Sequence, residues 1–257
     1  MSATTTASAP VPAATSHEPT GRPRRRTRFH AAMAIVALAV AAAGFGPAMV
    51  NTAGRKAPLS LWVGFHAALF TAWLLLFLAQ TQLVGRGRLS AHRSLGYVGA
   101  AVALLMIGSG YATAITMARR GFDLSGDLNA AADPHGSLVF QLGDLLSFGV
   151  LVAAAVAFRR RPEVHKRLML LATVGSLMAA PLTHLLSHFP WARQHPPIIL
   201  VPLALLYFSS AVYDRLFRGR IHPVSLWVGI GLFVWANLRA AVNPSQAWRE
   251  FARWLVG

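Results

Sequence analysis

Residues 60–84 read SLWVGFHAALFTAWLLLFLAQTQLV, twenty-five positions without one Asp, Glu, Lys or Arg. A helix needs about 20 apolar residues, at about 1.5 Å each, to cross the hydrocarbon core of a bilayer. The run gives way to a short basic stretch, Gly85-Arg-Gly-Arg-Leu-Ser-Ala-His-Arg-Ser-Leu-Gly96, and then a second apolar run opens. This alternation of apolar span and basic turn decides the fold class.

It recurs along the whole chain. Spans are expected at about 31–50, 60–84, 94–117, 135–158, 164–189, 197–217 and 223–242. Of the 257 residues 55% are hydrophobic and 12% charged, where a soluble domain carries about 25% charged residues. The expected architecture is an all-α polytopic bundle of seven transmembrane helices filling residues 30–243, with its core at 60–190. Residues 1–29 read as a disordered tail: Ser, Thr, Ala and Pro dominate up to residue 21, and a basic knot, RPRRRTR, follows at 22–28. That knot and the run after it resemble a signal sequence, but the run is longer than an ordinary signal core, so an uncleaved anchor is expected. At residues 244–257, Trp248, Phe251, Ala252 and Leu255 share one helical face opposite Arg249, Glu250 and Arg253, the pattern of an amphipathic helix on a membrane surface.

The formal net charge of +16 fits this topology rather than nucleic-acid binding, because the cations sit in short connections between apolar runs. Sixteen of the 24 Lys and Arg residues fall on one side: Arg22, Arg24, Arg25, Arg26, Arg28, Arg86, Arg88, Arg93, Arg159, Arg160, Arg161, Lys166, Arg167, Arg215, Arg218 and Arg220. The positive-inside rule makes that side cytoplasmic, with the N-terminus inside and the C-terminus outside. Anionic lipid headgroups are the expected partners of these loops. The expected location is a bacterial cytoplasmic membrane. No cysteine is present, which removes disulfides, thiolate metal sites, iron–sulfur clusters and covalent haem attachment. A bound metal or haem would need His, Met, Tyr or carboxylate ligands.

Local signals agree with these limits. Asp133-Pro134 reads as an N-cap with proline in the first turn, Ser90 as a cap for the third helix, and Pro162 as the opening of the fifth. Trp62, Trp191, Trp248 and Trp254 fall near one boundary, as an aromatic belt would. Gln80, Gln82, Tyr111, Asp214 and Asn237 read as hydrogen-bonding partners between helices.

The histidines fall in two layers. One holds His66, His135, His184 and His188, with Asp144 at a similar depth. The other holds His30, His92, His165 and His222 near the basic connections. His92-Arg-Ser-Leu95 is nearly repeated by His165-Lys-Arg-Leu168, each before an apolar run. His66, His92, His135 and His165, one on each of four consecutive helices, could supply axial imidazoles to haem b, with Arg93 and Lys166 neutralising the propionates. His92 would pair with His165, and His66 with His135 or His184. About 27 Å would separate the layers, from eighteen residues at 1.5 Å each. The other reading of the inner pair is helix-start polarity, with cations that snorkel to lipid.

Two families share these motifs. The order of one His per helix resembles the transmembrane di-haem cytochromes b of the ascorbate-reducible kind, which implies b haems on four core helices and electron transfer across the membrane. The chain also resembles a group of uncharacterised bacterial multi-pass proteins. Their helix starts match His92-Arg-Ser-Leu-Gly96 and His165-Lys-Arg-Leu-Met169, after a His at the place of His66. This likeness covers about residues 60–190.

A second chemistry is open. His184 and His188 lie four apart on one helix face and, with His66 and Asp144, offer a tetrahedral set for zinc. Such a site would activate water, and the count of helices and histidines is similar to zinc-dependent membrane hydrolases of the adiponectin-receptor and alkaline-ceramidase kind. Their His-x-x-x-His lies on the last helix, unlike this one. A small-solute or proton-coupled transporter, with Asp144 and His66 as a relay, is a further alternative. The redox partner or substrate is left open.

Overall fold

The structure, a computed structural model, describes residues 22–50, 61–121 and 133–257. The tail expected at residues 1–21 lies outside them. Ten α-helices and no strand occur among the described residues: α1 (Arg22–Val50), α2 (Leu61–Gly85), α3 (Leu89–Arg120), α4 (Pro134–Ala157), α5 (Pro162–Leu170), α6 (Ala179–Ser187), α7 (Pro190–Gln194), α8 (Leu200–Arg218), α9 (Pro223–Val242) and α10 (Gln246–Val256). They include seven helices long and apolar enough to cross a membrane, the fifth formed by α5, a π-helical segment and α6 together. The protein is an all-α multi-pass bundle.

The expected boundaries hold to within a few residues, with two exceptions. α1 begins at Arg22, so the basic knot is already helical rather than part of the tail. α3 begins at Leu89, with Arg88 before it and no side-chain cap, so Ser90 is inside the helix and does not cap it. Asp133 does cap α4, its Oδ1 accepting from the Gly136 amide at 2.8 Å, and prolines open α4 and α5.

Neighbouring spans pack in sequence, α1 on α2, α2 on α3, α3 on α4 and α8 on α9. The fifth span is enclosed by the others. Of its apolar window 72% is buried, against 22–39% in the other six. Leu170, Leu171, Ala172, Val174 and Met178 at its middle are fully buried, with Trp73, Phe148 and Tyr207 packed nearby.

This central span is not a continuous α-helix. Leu171–Ser176 is π-helical, and α6 starts only at Ala179. Pro181 is the cause closest to hand: it has no N–H for the carbonyl four residues back, and its ring crowds that carbonyl. The Trp73 indole donates to Thr173 Oγ1 at 3.2 Å and ties α2 to the widened turn. On the other side, Gly44 of α1 lies so close to the Pro181 backbone that a Cβ there would overlap it. α1 and α6 therefore meet backbone to backbone.

α10 is amphipathic as expected, but it lies on protein. Ala252 and Val256 are sealed against Ala114, Ile115, Ala118 and Leu138 of α3 and α4. Trp248 Nε1 donates to the carbonyls of His135 and Gly136, and Arg119 Nε donates to the Val256 carbonyl at 2.8 Å. Phe251 and Trp254 stay exposed on its outer side, as do Trp62 and Trp191 elsewhere on the bundle.

Candidate functional site

His92 and His165 are each the fourth residue of a helix, α3 and α5 respectively. The two helix starts lie at the same end of the bundle and bring the imidazoles face to edge. Their ring centres are 6.3 Å apart and their planes 81° from parallel. Both side chains are half-buried.

Each imidazole has a defined second contact. His165 Nδ1 donates to the Ala155 carbonyl on α4 at 2.8 Å, which fixes the tautomer and turns Nε2 away as the available nitrogen. His92 is held through its backbone, its carbonyl accepting from Gln80 Nε2 of α2 at 3.2 Å. Its own Nδ1 is buried without a partner, as is Gln80 Oε1. Around the pair, Arg88, Arg93 and Arg159 to Arg161 are exposed. Lys166 turns to Glu163 at 2.7 Å instead of standing free.

Behind His165 lies an ion network that sequence reasoning did not anticipate. Arg167 counts in the sequence as a loop cation, yet it is 2% exposed. Its Nε and Nη2 donate to Asp214 Oδ2 and Oδ1 at 3.1 and 2.6 Å, and Nη1 donates to Glu163 Oε2 at 2.8 Å. Arg218 joins the same two carboxylates, and Ser225 donates to Asp214 Oδ2 at 2.8 Å. The network pins α5 to α8 and α9. Asp214 was expected between helices and is there. A cavity of about 10 Å³, room for one water, lies beside it among Lys166, Arg167, Ser210 and Tyr213. His222, in the turn between α8 and α9, accepts from the Val224 amide through Nδ1. Burial, and next the positive charge of Arg167, hold its pKa below the ordinary value.

At the opposite end the histidines do not converge. His66 Nδ1 is 3.1 Å from Ser109 Oγ, whose proton goes to the Met106 carbonyl, so His66 is the donor. His184 packs on Phe45 of α1, with ring centres 4.7 Å apart, and ring contacts from Phe45 to Phe70 to His66 separate the two histidines. His188 is exposed beyond the end of α6. His135 is half-buried at the start of α4.

The expected zinc set of His66, His184, His188 and Asp144 does not come together in this arrangement. Among the described residues no group of three or more His, Asp or Glu side chains could hold a metal ion. Asp144 is taken by Arg239 of α9, whose Nη1 lies 2.5 Å from Oδ1 and also donates to the Phe140 carbonyl at 2.9 Å. Arg239, one of the eight cations outside the sixteen assigned to the cytoplasmic side, is 4% exposed and lies over the Phe140 and Trp235 rings. Its signal in the sequence was a cation inside an apolar run, with an acid in another run at matching depth. Of the other polar residues, Gln80 links helices as expected, Gln82 is exposed, and Asn237 bonds within its own helix.

Comparison with known proteins gave no matching family model, curated protein or solved structure.

Proposed function

We propose that the protein is a b-type haem-binding redox protein of a bacterial cytoplasmic membrane, in which His92 and His165 would hold the haem. The separation of 6.3 Å between the two ring centres carries this reading. These two side chains, brought together at one end of the bundle, would be the residues that hold the haem iron. The donor chemistry fits as well. His165 has the arrangement of a metal ligand, Nδ1 committed to a backbone carbonyl and Nε2 available.

A bound haem would supply a one-electron couple. The chain's part is to hold two neutral imidazoles at a helix-bundle end and to tune them through hydrogen bonds. Arg93 and Arg88, exposed beside the pair, are suited to the propionates. Neither His66 nor His135 faces another imidazole among the described ring contacts, so the reading carries one centre rather than two. The motifs at Gly96 and Met169 add the resemblance to bacterial multi-pass proteins and di-haem cytochromes b. The basic end would face the cytoplasm, where its exposed arginines meet anionic headgroups.

An absorption spectrum of the detergent-purified protein tests this. A Soret band that shifts on reduction, at near-stoichiometric haem, is the expected result, and His92→Ala and His165→Ala should each abolish it. A colourless preparation that takes up no haem on reconstitution would sink the reading. A transporter is the second reading, favoured by the break in the central span at Leu171–Ser176, since discontinuous helices serve transporter sites. Substrate-dependent uptake into vesicles by a haem-free protein would move the assignment there.

A further inference from the structure

His92 and His165 occupy equivalent places in two helix hairpins, α2–α3 and α4–α5. The second hairpin provides for its histidine: the Ala155 carbonyl, near the end of α4, accepts Nδ1–H of His165. The first hairpin has no such carbonyl contact for His92. Instead its α2 offers a side chain, Gln80, which lies over Gly96 and already donates to the His92 carbonyl. Two polar atoms on these joined residues are buried without partners, Gln80 Oε1 and His92 Nδ1. One is an acceptor and the other can be a donor. A buried polar atom left unpaired costs about 1–3 kcal/mol, so a complementary pair on two hydrogen-bonded residues calls for a connection.

We infer that Gln80 is the positioning residue for His92: its Oε1 accepts the His92 Nδ1 proton through one bridging water and presents Nε2 toward His165. This rests on the haem reading for its purpose, though not for its geometry. The carboxamide of Gln80 then does for His92 what the Ala155 carbonyl does for His165, and both imidazoles are oriented. The amide cannot be turned round to serve otherwise, because Oε1 would then face the His92 carbonyl.

The test uses the full chain in nanodiscs, with ¹⁵N-labelled histidine, before and after haem addition. In the haem-free protein the ring nitrogens of His92 should report the Nδ1–H tautomer, and Gln80→Leu should lose it. Haem affinity should fall about 10–100-fold in Gln80→Leu, as it does when such outer partners of ligands are removed. Gln80→Glu keeps an acceptor for Nδ1 and can still donate to the His92 carbonyl as the protonated acid, so it should retain the tautomer. An unchanged His92 tautomer in Gln80→Leu would overturn the proposal, as would loss of the tautomer in Gln80→Glu. Should the parent protein bind no haem, the functional reading fails, while the ring-nitrogen measurement still decides the role of Gln80.

Discussion

Arg167 and Asp214 meet fork to fork, Nε on Oδ2 at 3.1 Å and Nη2 on Oδ1 at 2.6 Å, with side chains 3% and 1% exposed. They join α5 to α8 within a turn of His165. A pair so sealed gains little net stability over an apolar pair of the same volume, but breaking it is costly because the surviving charge stays buried. Arg167→Leu alone, or Asp214→Leu alone, should therefore destabilise the protein by about 3–5 kcal/mol. The double substitution Arg167→Leu/Asp214→Leu should recover much of that loss. Thermal unfolding in detergent, compared across the four proteins, measures it; equal losses that simply add would show that the two residues do not act as a pair.

Arg239 reaches Asp144 across a surface that Gly143 leaves open. A Cβ at position 143 would overlap the arginine's side chain, and the Trp235 indole donates to the Gly143 carbonyl at 3.1 Å. Gly143→Ala should destabilise by about 1–3 kcal/mol through overpacking, although alanine is the better helix former. If instead the variant melts higher than its parent, α9 does not press on α4 as described.

α10 is held by packing rather than by its surface ion pair. Arg249 and Asp133 lie 2.8 Å apart but are 44% and 35% exposed, so Arg249→Ala should change stability by less than about 1 kcal/mol. Ala252 has no space around it, and Ala252→Leu should lift the helix from α3 and α4. Limited proteolysis near Ser245 reports the difference: cleavage is expected to quicken in Ala252→Leu and to stay slow in Arg249→Ala.

His222 sets a dependence on pH. Its pKa is lowered in the folded protein, so its contribution is complete above the unfolded value of about 6.5 and is lost as pH falls through and below it. Protonation would also cost the bond that Nδ1 accepts from Val224. The fall in melting temperature between pH 7.5 and pH 5 should be smaller in His222→Asn, which can still cap α9. An unchanged pH profile in that variant would assign the acid sensitivity elsewhere.

Span positions were legible from sequence because a helix in lipid must be long and free of charge, and seven runs met that demand. The nearness of His92 and His165 was legible too, since both open helices after a short basic turn. What the sequence left hidden is which face of each span points inward. In lipid the outer face is as apolar as the core, so the periodicity that marks a buried face in a soluble helix is absent. Arg239 thus looked like one more external cation, and Arg167 like one more loop charge. The zinc set is not assembled for the same reason: depth along the membrane placed His66, His184 and Asp144 together, while their directions around each helix were unconstrained.

The widened turn at Leu171–Ser176 has a geometric consequence for the whole molecule. One residue more per turn shifts the angular phase of everything after it by about 100° relative to an unbroken α-helix. With that offset, α5 aims Arg167 at α8 while α6 aims the Pro181 backbone at Gly44 of α1. The segment works as a fixed azimuthal joint, letting one polypeptide span address two different neighbours, one at each end.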